Sequence, residues 1–320
     1  MNNGYIERLS SHDWMSKTPG IDNLSLRELT LPGAHNAGCD WNASYDQLIQ
    51  CPNWLICQLL PVNWPLPGAN WLACQDVSFA GQLNRGARAL DLRLFYDSQA
   101  RVIERFRFQH GGYCSSRTLD DLVRDVKEFL QKNPDEFIIL DFHELKSGAT
   151  GFNYDEFKQV ILRTLGEQLI PLESLHLTLG QLKARAPRQR ILLAAPVSGS
   201  TDDNRIHDAV IHRWIGQSIV DASDLHRYID RILSNPPDKR WLWSLSATCY
   251  TLGGPQRILG HLDTWFHPSS TDWAKRCNII NFDFIENARI VSHCKNANIE
   301  KAVEKAKTTQ PTNYEDLPTP

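Results

Sequence analysis

Three segments carry residue types that together suit phosphodiester cleavage: Leu31-Pro-Gly-Ala-His35-Asn36, Gly86-Ala-Arg-Ala-Leu-Asp91-Leu-Arg93 and Phe108-Gln-His110-Gly111. One imidazole can take a proton near neutral pH, a second can return one to a leaving oxygen, and a guanidinium can hold the phosphate between them. His35 and His110 supply the imidazoles and Arg93 the guanidinium. Taken singly, a histidine after a Gly-rich turn is more often a satisfied surface or core residue, and Arg93 could simply neutralise Asp91. The order and spacing of the three segments favour the chemical reading.

Such residues need a scaffold that converges them. Short apolar or β-branched runs recur at Leu29 to Pro32, Arg88 to Phe95, Arg105 to His110, Phe137 to His143, Ile191 to Ala195, Trp241 to Cys249 and Asn278 to Ile285, each predicting a strand. Amphipathic stretches separate most of them. The clearest is Thr118 to Lys132, with a Thr118-x-x-Asp121 cap at its start and Asn133-Pro134 at its end. Weaker helical patterns cover Asp76 to Asn84, Tyr154 to Leu169, Ala222 to Ser234 and Pro255 to Phe266. This alternation predicts an α/β fold, a (β/α)8 barrel formed as one domain over residues 1–305. Residues 41–75 form a Trp- and Cys-rich insertion, and the polar, Pro-containing residues 306–320 read as an extended tail. In a barrel, His35, Arg93, His110, His143 and Asp283 all fall near strand ends, on the face where such folds carry their chemistry.

Composition narrows the partners. With 42% hydrophobic and 22% charged residues the chain reads as globular, and no run of about eighteen apolar residues suggests a membrane span. A net charge of -3 gives no basic field to recruit nucleic acid or anionic lipid. The eight cysteines form no C-x-x-C pair, so zinc-finger or thioredoxin-like chemistry is not indicated. Four of them, Cys39, Cys51, Cys57 and Cys74, are consistent either with disulfides stapling the insertion or with buried thiols. Its residues Trp54 and Trp64 are either interfacial anchors or part of an inward-folded cap. The start of the chain lacks a charged and apolar leader, which fits a mature secreted protein acting peripherally on membranes, with a cytoplasmic one as the alternative.

The three segments, together with Asn133-Pro134-x-Glu136-Phe-Ile-Ile-Leu140-Asp141-Phe142 and Gln82-Leu-x-x-Gly86, run in the order found in the X domain of phosphatidylinositol-specific phospholipases C, which the chain resembles well over residues 27–145. It is similar above all to the bacterial enzymes and the proteins consisting of an X domain alone. The resemblance implies a distorted, incomplete barrel with His35 as general base, Asp283 orienting it, His110 as general acid, and Arg93 beside Asp91 stabilising phosphoryl charge. It also implies His143 in substrate binding and phosphatidylinositol as substrate, cut by its own 2-hydroxyl at a membrane interface by a monomeric enzyme.

Asn36 departs from the metal-independent relatives, which carry Asp after the first histidine; calcium-dependent relatives carry Asn there as a ligand. The resemblance therefore implies Ca2+ held by Asn36 and Asp91 with Glu144 or Asp141 as a further oxygen donor, whereas Arg93 follows the metal-independent pattern. Other readings stay open: a barrel phosphodiesterase for glycerophosphodiesters or sphingolipids, a silent inositide-binding protein, or a glycosidase using Asp141 and Glu144.

Overall fold

The computed structural model describes residues 11–47, 69–148, 151–196, 203–285 and 289–309. In chain order its strands are β1 (Leu31–Ala34), β2 (Tyr45–Gln47), β3 (Ala89–Tyr96), β4 (Phe106–His110), β5 (Tyr113–Thr118), β6 (Ile138–Ser147), β7 (Ile191–Ala194), β8 (Ile206–His207), β9 (Ile211–Arg213), β10 (Trp243–Ser246), β11 (Tyr250–Thr251), β12 (Gly254–Pro255) and β13 (Ile279–Phe282). The helices are α1 (Ala69–Leu72), α2 (Phe79–Asn84), α3 (Leu119–Lys132), α4 (Tyr154–Leu165), α5 (Leu179–Arg185), α6 (Ala222–Ser234), α7 (Leu259–Trp265), α8 (Trp273–Arg276) and α9 (Ile290–Thr309).

Parallel pairing runs β9-β10-β13-β1-β3-β6-β7-β8. Among the described residues no ladder joins β8 to β9, so this ring of parallel strands is left open at one seam. The architecture is the barrel that the strand rhythm predicts, distorted and incomplete as the resemblance implies, within one domain. Strand residues alternate between two cores. Leu90, Leu140, Leu193 and Ile280 pack in a cluster with helical residues such as Leu122 and Val126 of α3. Ala89, Ile139, Leu192 and Ile279 instead join Leu31 and the N-terminal residues Trp14, Met15 and Leu24. The strand face that begins with these apolar residues continues, two residues at a time, to Asp91 and Arg93 on β3 and to Asn281 and Asp283 on and after β13. Period-two alternation thus places a dry floor beneath a polar mouth.

α3 forms as its cap predicts. Thr118 and Asp121 make a reciprocal capping box, and Leu119, Leu122, Val123, Val126, Phe129 and Leu130 are buried.

The segment ending at His110 differs from expectation. β4 is not a barrel stave but pairs antiparallel with the outer half of β3, and β5 continues that ribbon to β2. Gly111 and Gly112, with φ of 57° and 90°, form the two-residue turn that reverses the chain. A turn this short permits only antiparallel neighbours.

At the far end α9 runs to Thr309, so residues 306–309 continue a helix where an extended tail is predicted. Cys39 and Cys74 are buried free thiols, as are Cys114, Cys249, Cys277 and Cys294, which overturns stapling for the first two. Cys51, Cys57, Trp54 and Trp64 lie outside the described residues. No helix among the described residues is long and apolar enough to cross a membrane.

Candidate active site

β1 delivers His35 to the mouth through a crowded turn. A Cβ on Gly33 would sit 2.8 Å from the Ile279 side chain and 3.2 Å from the Asn281 Cα, so glycine allows β1 and β13 to approach. Asn36 then turns the chain with φ of 46°. Gln75 clamps the junction: its amide nitrogen donates to the carbonyls of His35 (2.9 Å) and Phe282 (3.1 Å), and its oxygen accepts from the Ile285 N–H at 3.1 Å.

His35 has a partner on each ring nitrogen. Nδ1 lies 2.7 Å from Asp283 Oδ1 and Nε2 lies 2.9 Å from the Arg93 terminal nitrogen. A guanidinium can only donate, so Nε2 is the acceptor and the ring proton resides on Nδ1, facing Asp283. That tautomer leaves the lone pair of a general base pointing into the mouth.

Arg93 also donates to both oxygens of Asp91, at 3.1 and 3.4 Å. The same carboxylate accepts from the Asn36 N–H and the Asn281 amide, each at 3.2 Å. Burial alone would raise the Asp91 pKa, but the Arg93 charge, with His35 beyond it, holds this carboxyl far below the usual carboxylate range.

His110 approaches from the hairpin. Its Nδ1 lies 2.8 Å from the Leu72 carbonyl, the acceptor that fixes the proton there, and 3.7 Å from Cys74 Sγ. Burial and then the Arg93 charge push its pKa down to about 4. Cys74 links the two imidazoles, because its sulfur and single donor atoms of His35 and Asp283 lie within 4.8 Å of one another.

The remaining residues singled out from sequence sort differently. β6 carries a register irregularity opposite the stretch between Asp91 and Arg93, which puts Glu144 beside Arg93. His143 is exposed and stacks on His212 of β9, with ring centroids 3.7 Å apart. His212 Nε2 lies 2.7 Å from Asp141 Oδ2, so Asp141 serves an ion pair rather than one of two free carboxylates. Glu144 accepts from Gln109 and pairs with Lys146 at 2.6 Å. The glycosidase reading therefore has no free acid and base pair.

The calcium set fits this geometry poorly. Calcium takes six to eight oxygen ligands, yet Asp91 is filled by Arg93 and two N–H donors, and Glu144 is held by Gln109 and Lys146. The Asn36 side chain and Asp141 Oδ1 are buried without a hydrogen-bond partner among the described residues, while the other oxygen of Asp141 is held by His212. The Arg93 guanidinium already supplies positive charge to both oxygens of Asp91.

Sequence reasoning missed Gln75, His212, Asn281 and Cys74. Of these only Asn281 carries a signal, since it shares the strand face of Asp283 two residues away.

Known proteins can be set beside this geometry. Mouse PI-PLC X domain-containing protein 1 is 25% identical over 297 residues, spanning 88% of this chain and 84% of that protein. The variant-surface-glycoprotein phospholipase C of Trypanosoma cruzi is 31% identical over 160 residues, 47% of this chain and 40% of that protein. The chain is a relative of the phosphatidylinositol-specific phospholipase C X-domain proteins. No protein-family model matches it. The fold agrees with that of the phosphatidylinositol-specific phospholipases C of two bacteria. The Staphylococcus aureus phosphatidylinositol-specific phospholipase C superposes with a TM-score of 0.59 at 16% identity, covering 90% of this chain and 98% of the other. The Listeria monocytogenes enzyme gives 0.60 at 18% identity, covering 90% and 99%.

Within the X-domain frame two motif residues are structural. Arg88, fully buried, pairs with Glu136 at 2.6 Å, and Glu136 accepts the N–H groups of Met15 and Ser16. Arg88 in turn donates to the carbonyls of Leu83, Ala87 and His12. This pair binds the N-terminal segment against β3 and the start of β6.

Proposed function

We propose that the protein is a phosphatidylinositol phosphodiesterase whose reaction is an intramolecular transfer. The inositol 2-hydroxyl gives its proton to His35 Nε2 and its oxygen attacks the neighbouring phosphorus. The bond from phosphorus to the diacylglycerol oxygen breaks as His110 delivers a proton to that oxygen. Diacylglycerol and inositol 1,2-cyclic phosphate result.

The observation that carries this reading is His35 held between Asp283 and Arg93, with His110 reached through Cys74. Asp283 keeps the base tautomer and stabilises the imidazolium that forms. Arg93 shifts its donor from Nε2 to a phosphoryl oxygen, where it meets growing negative charge. His110 is neutral when Arg93 is its near neighbour; an anionic phosphodiester between them offsets that charge and favours the protonated acid. Each proton transfer is worth about 10²- to 10⁴-fold in rate. The cation in this reaction is Arg93, and no step requires calcium.

Substrate would enter from a membrane surface by transient peripheral contact. Exposed Trp71, Trp214, Ile219 and Leu252 all follow the C-terminal ends of barrel strands, on the side of the mouth, which suits interfacial contact. Catalysis would need a single chain.

Phosphorus NMR of vesicles containing phosphatidylinositol tests the proposal. A cyclic phosphodiester resonance is expected with the wild type and none with His35→Ala or His110→Ala, both folded by circular dichroism. Turnover of sphingomyelin or glycerophosphodiesters in place of phosphatidylinositol would redirect the substrate assignment, and near-normal activity in either variant would overturn the acid and base roles.

A further inference from the structure

Cys74 has no part in the transfer, yet its thiol is fully buried against the residues that perform it. Single donor atoms of His35, Cys74 and Asp283 lie within 4.8 Å of one another, close enough to share one metal ion. The donor set is nitrogen, sulfur and carboxylate oxygen. Cys74 Sγ is also 3.7 Å from His110 Nδ1, whose proton faces the Leu72 carbonyl, so a second imidazole lies beside the same sulfur.

We propose that His35 Nδ1, Cys74 Sγ and an Asp283 oxygen form an inhibitory site for a thiophilic divalent cation of the zinc class. Charge supports this assignment, because one thiolate and one carboxylate neutralise a divalent ion while the imidazole adds a neutral ligand. Softness supports it too: thiolate with imidazole selects zinc-like ions, whereas magnesium and calcium require oxygen. The His35 side chain is 13% exposed at the mouth while Cys74 and Asp283 are buried behind it, so the ion would enter past the His35 ring. Three protein ligands leave one tetrahedral position for water.

The proton balance explains why binding would inhibit. The metal displaces the thiol proton to solvent and takes the His35 Nδ1 position now used to donate to Asp283, so the ring proton moves to Nε2. Nε2 then has no lone pair with which to accept the hydroxyl proton, and its N–H faces the donor of Arg93 at the position now 2.9 Å away. The base is lost and the Arg93 contact becomes repulsive. Calcium lacks the affinity for sulfur to produce this state.

Cobalt(II) serves as a spectroscopic substitute for zinc and is titrated into the full chain without lipid. Wild type is expected to show tetrahedral d–d bands and a thiolate-to-cobalt charge-transfer band. Cys74→Ser should lose the charge-transfer band, and its zinc affinity should fall by more than about tenfold. Asp283→Asn provides a second arm should Cys74→Ser not fold, and should weaken the same band. Comparison between variants cancels any binding at other cysteines. A wild-type spectrum without a thiolate band, or one unchanged by Cys74→Ser, would overturn the site. Loss of lipid turnover on adding zinc and its return with chelator rests on the proposed phosphodiesterase reading, but the spectra do not, so the two can fail separately.

Discussion

The terminal nitrogen of Arg93 lies 2.9 Å from Nε2 of His35 while the same guanidinium grips Asp91 at 3.1 Å. One cation therefore touches both the proton acceptor and the carboxylate beneath it. The forked shape matters, since one ammonium cannot span both oxygens of Asp91 and still reach the imidazole. Arg93→Lys is expected to lower kcat on phosphatidylinositol by about 10²- to 10³-fold with little change in KM. A lysine variant with near-normal kcat would show that point charge alone suffices.

Asp283 fixes the His35 tautomer from the opposite side. Asp283→Asn offers an amide that can donate to Nδ1 and so favours the wrong tautomer, with an expected loss on the order of 10²- to 10⁴-fold in kcat. His143→Ala, which removes only an exposed ring stacked on His212, should cost far less. Reversal of that ranking in steady-state assays would move the base away from His35.

Metal dependence separates the two family patterns present in the chain. Since Asp91 is already satisfied by Arg93, Asn36 and Asn281, phosphatidylinositol turnover should survive excess calcium chelator unchanged. Abolition by chelator and restoration by calcium would return Asn36 to the ligand role its identity suggests.

The pH dependence of stability has a definite sign at His110. Its pKa is pushed from an ordinary value of about 6.5 to about 4 in the folded state, chiefly by burial and then by Arg93. Between those values the unfolded chain binds more protons, so stability falls as pH drops from about 6.5 toward 4. His212 is shifted upward: burial opposes this, but the Asp141 charge prevails, so its stabilisation is full at low pH and fades as pH rises through its raised pKa. Urea denaturation of wild type and His110→Gln isolates the first effect, because His212 is common to both. Wild type should lose more stability between pH 7 and pH 5; equal losses would contradict the shift.

The Arg88–Glu136 pair is a stability element remote from the mouth. Both side chains are almost wholly buried, and neutralising one leaves the other charge uncompensated. Glu136→Gln is expected to destabilise the fold by about 3–5 kcal/mol in chemical denaturation. A change under 1 kcal/mol would mean the pair relaxes or hydrates on mutation.

Much of this design is legible in the sequence where local rules dominate. α3 declares itself through its cap and apolar spacing, and α6 spans Ala222–Ser234 as its pattern predicts. His35, Arg93 and Asp283 converge because each lies on or just past a parallel strand. The β4–β5 hairpin was obscured because an apolar run alone does not distinguish a barrel stave from a ribbon; the Gly111-Gly112 turn decides it. α9 hides its buried face behind small and polar residues such as Cys294, Ala297 and Asn298. Gln75 and His212 carry no motif, since their roles depend on backbone and carboxylate groups far away in the chain. Asn36 suggested calcium because residue identity cannot reveal that Asp91 is already occupied.

The unpaired stretch between β8 and β9 changes how the barrel bears load. A continuous hoop of ladders resists spreading equally all round, whereas a split hoop opens at its cut. Here the imidazole of His212, just past the cut, reaches across to Asp141 and stacks on His143, both on β6. These side chains act as a stitch over the gap, where no backbone ladder among the described residues does.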